Sequence, residues 1–300
     1  MTPLLSEGDT VAVVAPGFAV RAALLRAGVA KLRTMGFEVR VGEHVLSRHG
    51  YLAGTDAERA RDLNRAARDR KVRGIWFARG GYGTARLLDL LDWKELIEGP
   101  ARVFVGYSDF TALCCPILRD SESLCLYGPV VSELASASAY HAGSLRGLLR
   151  GERSTLRFAP DQVIRPGRAR GRILGGNLTV LAHLLGTPHA PDLRGALVFL
   201  EDVGEEVYRL DRLLQHLKMT GALDEVAGIA LGSFRPPPRK RSFPPDRPFT
   251  DVLRDALGSL DAPVVRGLPV GHLSGKRTLA LGAIGTLDTR AGTLEVAGRT

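Results

Sequence analysis

The chain has 300 residues, of which 45% are hydrophobic and 24% charged, which is ordinary for a globular protein of one large or two medium domains. Its formal net charge is +9, but the arginines are scattered singly among acidic residues, which argues against nucleic-acid binding and favours a surface that attracts small anionic substrates. The sequence has no apolar run of about 20 residues, no secretory signal, no disulfide framework and no zinc-type spacing of cysteines and histidines, so we expect a cytoplasmic protein without membrane contact, metal or cofactor.

Buried strands alternate with helices in the first half of the chain. Strands are predicted at residues 10–15, 37–41, 74–78, 103–105 and 124–127, and helices at 21–35, from a capping box at Thr55 and Glu58 to about 71, and briefly after Thr84. This alternation predicts a doubly wound parallel sheet, so residues 1–165 are expected to form a flavodoxin- or Rossmann-like domain. Ligands of such sheets bind beyond the carboxyl ends of the strands.

The second half mixes helices with a larger share of strands. The pattern weakens between residues 131 and 172, and we place a domain boundary near residue 165. Beyond it, the sequence predicts a helix after Gly175-Gly-Asn177, a strand at 196–200, an amphipathic helix at 208–218, a strand at 227–234, an exposed proline-rich loop at 235–248, an apolar run at 264–270 and a strand-rich end at 278–296. Residues 166–300 are therefore expected to form a mixed α/β domain that is richer in strands.

A sharp turn between a strand and a helix carries Ser108. The strand at 103–105 breaks at Gly106, and an apolar helical pattern begins at about Asp109. Ser108 would therefore stand at the carboxyl end of a strand, beside the free N–H groups of a helix start, as in a nucleophile elbow. A serine so placed is either a nucleophile or an ordinary helix cap. Phe110 stands where α/β-hydrolases have a glycine, which argues against that particular fold.

A serine nucleophile also needs backbone donors for the oxyanion. The N–H of Asp109 is one candidate donor. The glycine turn Gly80-Gly81, at the end of the preceding strand, offers the second, because glycine lets the backbone approach a substrate closely.

The nucleophile needs a base, and the base needs a carboxylate that orients it. Among the seven histidines, His272 follows an apolar run and is best placed to face a substrate. Glu201 closes a buried strand and is preferred to Asp202, which would face the opposite side if the strand continues. A solvated strand end would account for Glu201 equally well.

Five motifs occur in order along the chain: Arg79-Gly-Gly-Tyr-Gly83, Gly106-Tyr-Ser-Asp109, Gly175-Gly-Asn-Leu178, Leu200-Glu-Asp202 and Gly267-Leu-Pro-Val-Gly-His272. Together they resemble the LD-carboxypeptidases, the muramoyltetrapeptide carboxypeptidases of bacterial cell-wall recycling, over nearly the whole chain. The resemblance implies a triad of Ser108, Glu201 and His272, with oxyanion donors at Asp109 and at Gly81 or Gly80. It also implies a homodimeric serine peptidase that releases terminal D-alanine from cytoplasmic murein tetrapeptides.

The loop after the first strand differs in sequence from the family pattern, and the residue that binds the substrate carboxylate is not assigned. After the first strand the family often has Ala-Pro-Ser-Ser, whereas this chain has Ala15-Pro-Gly-Phe18, so any substrate contact of that loop is not carried over. The expected substrate ends in a carboxylate, for which Arg79, Arg86 and Lys276 are candidate partners.

Two other functions compete with this interpretation. A microcin self-immunity peptidase, which cleaves a peptidyl or aminoacyl nucleotide, would use the same triad, although an aromatic content of only 6% favours the cell-wall peptide. A non-catalytic module could hold a small anion at Gly80-Gly81 and at the helix start. That module would leave Glu201 and His272 without a shared purpose.

Overall fold

Two sheets organise the chain in the computed structural model, which describes residues 4–121, 123–237 and 247–298. The strands are β1 Thr10–Val14, β2 Glu38–Val41, β3 Val72–Phe77, β4 Val103–Gly106, β5 Leu124–Tyr127, β6 Ser154–Arg157, β7 Val163–Arg165, β8 Arg168–Asn177, β9 Leu197–Val203, β10 Gly228–Arg235, β11 Val264–Val265, β12 Leu279–Leu281, β13 Ile284–Asp288 and β14 Thr293–Val296. The α-helices are α1 Ala22–Thr34, α2 Asp56–Arg68, α3 Trp93–Ile97, α4 Thr111–Asp120, α5 Ala142–Leu149, α6 Leu178–Leu184, α7 Val207–Met219 and α8 Phe249–Leu257. Within the described ranges, no helix is long and apolar enough to cross a membrane.

The first sheet has the strand order β12-β5-β4-β3-β1-β2. All of its pairings are parallel except that of β12 with β5. β1 and β4 are buried along their whole length, as expected for strands covered by helices on both faces. The predicted doubly wound parallel sheet is confirmed, with one antiparallel edge strand that comes from near the end of the chain.

The second sheet has the order β6-β14-β13-β8-β9-β10-β11-β7 and mixes parallel with antiparallel pairs. The expected mixed α/β half, richer in strands, is confirmed. Its long strand β8 begins where the sequence pattern is weak. There Arg168, Arg170 and Arg172 alternate with small residues, so the strand carries no apolar stripe until Ile173.

The two halves of the chain meet along α4 and β8. α4 packs against both β8 and α6. The N–H of Asn177 donates to the Thr111 hydroxyl at 2.9 Å, which ties the end of β8 to the start of α4. β6 precedes residue 165 but pairs in the second sheet, and β12 follows it but pairs in the first. The division near residue 165 stays a prediction.

Some predicted bounds differ from those of the structure. The capping box at Thr55 is present, and its helix ends at Arg68 rather than near residue 71. The apolar run at 264–270 pairs as a strand only at Val264–Val265, and the chain then turns at Gly267, whose φ is +78°. His272 therefore lies on a loop. Of the proline-rich loop expected at 235–248, residues 238–246 lie outside the described residues.

Candidate active site

Ser108 lies on the turn between β4 and α4. A short 3-10 helix, Ser108–Phe110, joins the two elements. Among the described residues, Ser108 is the one non-glycine residue with a positive φ, +67°, a conformation that costs L-residues about 1–2 kcal/mol. Such strain persists where surrounding contacts enforce it, often at functional sites. Here the Ser108 N–H donates to the Tyr127 hydroxyl at 2.9 Å.

A buried aromatic side chain anchors this turn from below. Phe110 is fully buried and packs edge-on against Phe77, with ring centroids 4.9 Å apart. Gly106 leaves room for it, since a Cβ at that position would lie 3.0 Å from the Phe110 ring. Phe110 therefore serves as a packing anchor at the position where Gly-x-Ser-x-Gly elbows carry a glycine.

The glycine turn after β3 lies directly against Ser108. A Cβ on Gly80 would lie 3.3 Å from Ser108 Cβ and 3.7 Å from its Oγ. Gly81 has a φ of +127°, and a Cβ there would overlap the Phe18 ring, so this position requires glycine. In the described part of the chain, the N–H groups of Gly80, Gly81 and Asp109 find no hydrogen-bond acceptor. They are free to bind an oxygen that carries negative charge.

The Asp109 side chain joins the elbow to the glycine turn. Its Oδ2 accepts from the Thr84 N–H at 2.9 Å and from the Thr84 hydroxyl at 2.6 Å. Burial raises the pKa of Asp109, while the hydrogen bonds from Thr84 act in the opposite direction. Arg59, also buried, donates to the carbonyl oxygens of Pro16 and Gly83. The loop after β1, the glycine turn and the elbow are therefore held as one unit.

Glu201 is fully buried within β9, and its carboxylate accepts four hydrogen bonds. Oε1 accepts from the Tyr127 hydroxyl at 2.7 Å and from Asn177 Nδ2 at 3.3 Å. Oε2 accepts from His272 Nδ1 at 2.6 Å and from the His272 N–H at 3.1 Å. A buried carboxylate needs such donors because it has lost its water. With 0% of its surface exposed, Glu201 is not a solvated strand end.

His272 is fixed by contacts on several sides. Because the Glu201 carboxylate can only accept, Nδ1 must donate, and the lone pair of the neutral ring is left on Nε2. The ring lies against that of Tyr107, with centroids 4.8 Å apart. The Ser233 hydroxyl donates to the His272 carbonyl oxygen at 3.1 Å. Gly271 precedes it with a φ of +105°, and a Cβ there would lie 2.5 Å from Glu201 Oε2.

The Tyr127 hydroxyl links the serine turn to the histidine. It accepts from the Ser108 N–H and donates to Glu201, which in turn holds His272. Within the described residues, Ser108 Oγ makes no hydrogen bond to His272, so the serine joins this network through its backbone N–H. The serine, glutamate and histidine singled out from the sequence thus belong to one connected network.

Sequence models of known families match both halves of the chain. The LD-carboxypeptidase N-terminal domain matches residues 11–128, and the LD-carboxypeptidase C-terminal domain matches residues 170–287. The chain belongs to the LD-carboxypeptidase family. The resemblance drawn from the five motifs is therefore confirmed.

Individual relatives agree over nearly their whole length. A Streptomyces coelicolor protein named as a carboxypeptidase is 43% identical, over 97% of this chain and 94% of its own. The murein tetrapeptide carboxypeptidase of Pseudomonas aeruginosa is 32% identical, over 93% and 92%. The crystal structure of muramoyltetrapeptide carboxypeptidase from Oxalobacter formigenes superposes with a TM-score of 0.85 at 32% identity, over 97% and 99%. The Microcin C7 self-immunity protein MccF shares the fold, with a TM-score of 0.85 at 23% identity over 99% and 98%.

Sequence reasoning missed two residues of this candidate site. Tyr127 and Asn177 both donate to Glu201. Each stands at the carboxyl end of a parallel strand, β5 or β8, where ligand-binding residues of such sheets collect. Asn177 also belongs to one of the five motifs. Their position at strand ends was thus the signal in the sequence that could have identified them, but it does not predict that either side chain binds a carboxylate.

The three cationic residues proposed for the substrate carboxylate differ in their partners. Arg86 pairs with Asp56 through contacts of 2.6 to 3.1 Å. Lys276 is buried and pairs with Glu133 at 2.7 Å. Arg79 is exposed and has no carboxylate within ion-pair distance in the described ranges. Two of the three charges are therefore already neutralised within the protein.

Other polar candidates lie outside this network. His44 pairs with Asp62 at 2.9 Å, and His189 stacks on Trp93 with ring centroids 5.4 Å apart. Across residues 4–121, 123–237 and 247–298, no group of three or more histidine, cysteine, aspartate or glutamate side chains could hold a metal ion.

Proposed function

We propose that Ser108, His272 and Glu201 form the catalytic triad of a serine-type LD-carboxypeptidase that releases terminal D-alanine from murein tetrapeptides. The observation that carries the proposal is the buried Glu201 carboxylate, which holds His272 Nδ1 at 2.6 Å and is joined through Tyr127 to the Ser108 turn. A module that only binds an anion would gain nothing from this network, because a buried carboxylate beside the site repels anions.

In the proposed acylation step, each of these groups has one role. His272 Nε2 takes the proton of Ser108 as Oγ attacks the carbonyl carbon of the L-centre that precedes D-alanine. Glu201 keeps Nδ1 protonated and stabilises the imidazolium. The oxyanion accepts hydrogen bonds from the N–H of Asp109 and from Gly80 or Gly81. The C–N bond then breaks as the imidazolium returns its proton to the leaving amine.

Deacylation uses the same groups, with water as the attacking nucleophile and Ser108 Oγ as the leaving group. His272 Nε2 takes a proton from water, which attacks the Ser108 ester. The same backbone donors bind the second oxyanion. Collapse of this intermediate gives the proton back to Ser108 Oγ and releases the shortened peptide.

A peptidyl or aminoacyl nucleotide is the second candidate substrate. Tyr51 and Tyr82 are 59% and 47% exposed, and their ring centroids lie 6.2 Å apart beside the glycine turn. Exposed rings of this kind offer a surface on which a nucleobase could stack.

A fluorophosphonate probe tests the peptidase mechanism. We expect it to label Ser108, to leave a Ser108→Ala variant unlabelled, and to label His272→Ala far more slowly, because the hydroxyl then has no base. Ser136→Ala is the matched control and should be labelled like wild type, since Ser136 is exposed and its hydroxyl lies against that of Ser138, away from His272. If folded protein resists the probe, Ser108 is not an activated nucleophile.

Substrate identity is tested by mass spectrometry. The enzyme is incubated with muramyl tetrapeptide, with the corresponding tripeptide, and with a glutamyl sulfamoyl nucleoside, in which a sulfamoyl group replaces the phosphate of an aminoacyl nucleotide. Release of D-alanine from the tetrapeptide alone supports the cell-wall substrate, whereas cleavage of the sulfamoyl nucleoside alone would replace it with the second candidate. We further propose a cytoplasmic homodimer. Cell fractionation and sedimentation equilibrium test the two parts, and a monomer mass at micromolar concentration would contradict the second.

A further inference from the structure

We infer that Arg79 binds the free α-carboxylate of the leaving residue and so selects the last peptide bond of the substrate. The inference rests on the proposed peptidase function and deepens it. It names the group that would make this enzyme a carboxypeptidase, with a peptide ending in a carboxylate as the class of ligand.

Arg79 is placed beside the reacting atoms by the backbone. It immediately precedes Gly80, whose Cβ position lies 3.7 Å from Ser108 Oγ. In a peptide substrate, the terminal carboxylate carbon lies only three covalent bonds beyond the carbonyl carbon that the serine attacks. A group that binds this carboxylate must therefore come from a residue close to the nucleophile, and Arg79 adjoins Gly80 in the turn that lies against Ser108.

The Arg79 side chain is supported by the loop that departs from the family pattern. Its guanidinium lies over the Phe18 ring, 5.5 Å from the centroid, and its Nη1 donates to the Ala19 carbonyl oxygen at 2.9 Å. This is the one hydrogen bond that Arg79 makes to the described residues. A guanidinium has five N–H donors, so a pair remains for the two oxygens of a carboxylate.

The charge of Arg79 is available for a substrate, because no carboxylate in the described ranges lies within ion-pair distance of it. Arg86 and Lys276, the other two candidates, are paired with Asp56 and Glu133.

Binding to a protein that cannot turn over tests the inference directly. In a Ser108→Ala background, calorimetry compares a tetrapeptide ending in D-alanine with the same peptide ending in D-alaninamide. We expect the acid to bind about 10- to 100-fold more tightly than the amide, the range for a charge-assisted contact. Adding Arg79→Ala should bring this ratio close to one, and Arg79→Lys should retain part of it.

Arg86→Ala is the matched control. It removes the same charge seven residues along the chain, from a side chain that is already paired with Asp56, and should leave the acid-to-amide ratio unchanged. The ratio of kcat/KM for the same two peptides, measured in enzyme with Ser108 intact, should change in parallel.

The outcomes separate this inference from the proposed function. If the intact enzyme releases D-alanine but the peptide acid and the peptide amide bind equally, Arg79 does not bind the carboxylate and the peptidase function stands. If acid is preferred through Arg79 but no peptide is cleaved, the carboxylate site stands and the peptidase function falls. If neither peptide binds, both are wrong.

Discussion

Replacing Tyr127 with phenylalanine should uncouple the serine turn from the triad carboxylate while keeping the core filled. The ring of Tyr127 is buried and packs on Phe199, with centroids 5.4 Å apart, and phenylalanine preserves this contact. What is lost is one oxygen, which accepts from the Ser108 N–H and donates to Glu201 Oε1.

The size of the effect follows from these two hydrogen bonds. Loss of the donor to ionised Glu201 costs about 1.5–3 kcal/mol, and an unpaired Ser108 N–H costs about 1–3 kcal/mol more. Part of this is offset because the tyrosine hydroxyl no longer loses its own water on folding. We therefore expect the free energy of unfolding to fall by about 2–4 kcal/mol. The same hydrogen bond opposes about 1–2 kcal/mol of strain at the Ser108 φ, so kcat should fall by about 5- to 30-fold.

Urea unfolding measures the first quantity, and D-alanine release measures the second, with the rate of fluorophosphonate labelling as a readout that needs no substrate. Tyr140→Phe is the control, because the Tyr140 hydroxyl is also buried and donates only to the Leu134 carbonyl oxygen at 3.2 Å. It should lose about 1 kcal/mol of stability and keep its kcat. A Tyr127→Phe enzyme that is destabilised but keeps full kcat and labelling rate would refute the coupling.

Three further substitutions test other contacts of the site. Glu201→Gln places an amide NH₂ where one pair of donors points, so the free energy of unfolding should fall by about 2–4 kcal/mol and kcat by about 10²–10⁴-fold. Urea unfolding and D-alanine release measure the two effects, and a stable, active variant would show that these hydrogen bonds are not needed. Gly80→Ala adds a methyl 3.3 Å from Ser108 Cβ, so kcat should fall at least about tenfold while the melting temperature changes by only a few degrees. An unchanged kcat would mean that the substrate does not occupy the space beside Gly80. Burial raises the pKa of Asp202 above its ordinary value of 3.8, so the protonated side chain stabilises the fold fully below that pH, and this stabilisation is lost as pH rises through the folded pKa. Over this pH interval, urea unfolding should show wild type losing stability relative to Asp202→Asn. A difference in unfolding free energy that does not change with pH would contradict the shift.

Local patterns were sufficient for the elements that carry the elbow. β5 is predicted at residues 124–127 and observed at Leu124–Tyr127, because an apolar run bounded by polar residues and glycine admits few alternatives. Ser108 is predicted on the turn after the strand at 103–105, and it lies there. β9 was expected to end near Glu201 but continues to Val203, because Asp202 and Val203 pair with Phe234 and Arg235 of β10.

Contacts between distant segments could not be predicted in this way. The Tyr127 hydroxyl meets a carboxylate 74 residues along the chain, and nothing around Tyr127 in sequence marks that partner. The loop that carries His272 is irregular, since only Val264–Val265 of the apolar run pairs as a strand, so its direction depends on tertiary contacts with Glu201 and Ser233. The family resemblance supplied the combination that periodicity alone could not.

The antiparallel edge strand β12 affects the order in which the protein folds during its synthesis. β5, which carries Tyr127, pairs on its outer side with β12, and Leu279 lies opposite Tyr127. On a ribosome, the Ser108 turn emerges first, and its sheet keeps an open edge at β5 until residue 281 has been synthesised. The segment that closes this edge follows the candidate base by only a few residues. A nascent or truncated chain that ends before residue 272 lacks both β12 and His272, so it has an exposed strand edge at β5 and a Glu201 carboxylate without its histidine partner. Synthesis of residues 272–281 supplies both missing parts, so sheet closure and completion of the candidate site depend on the same late segment.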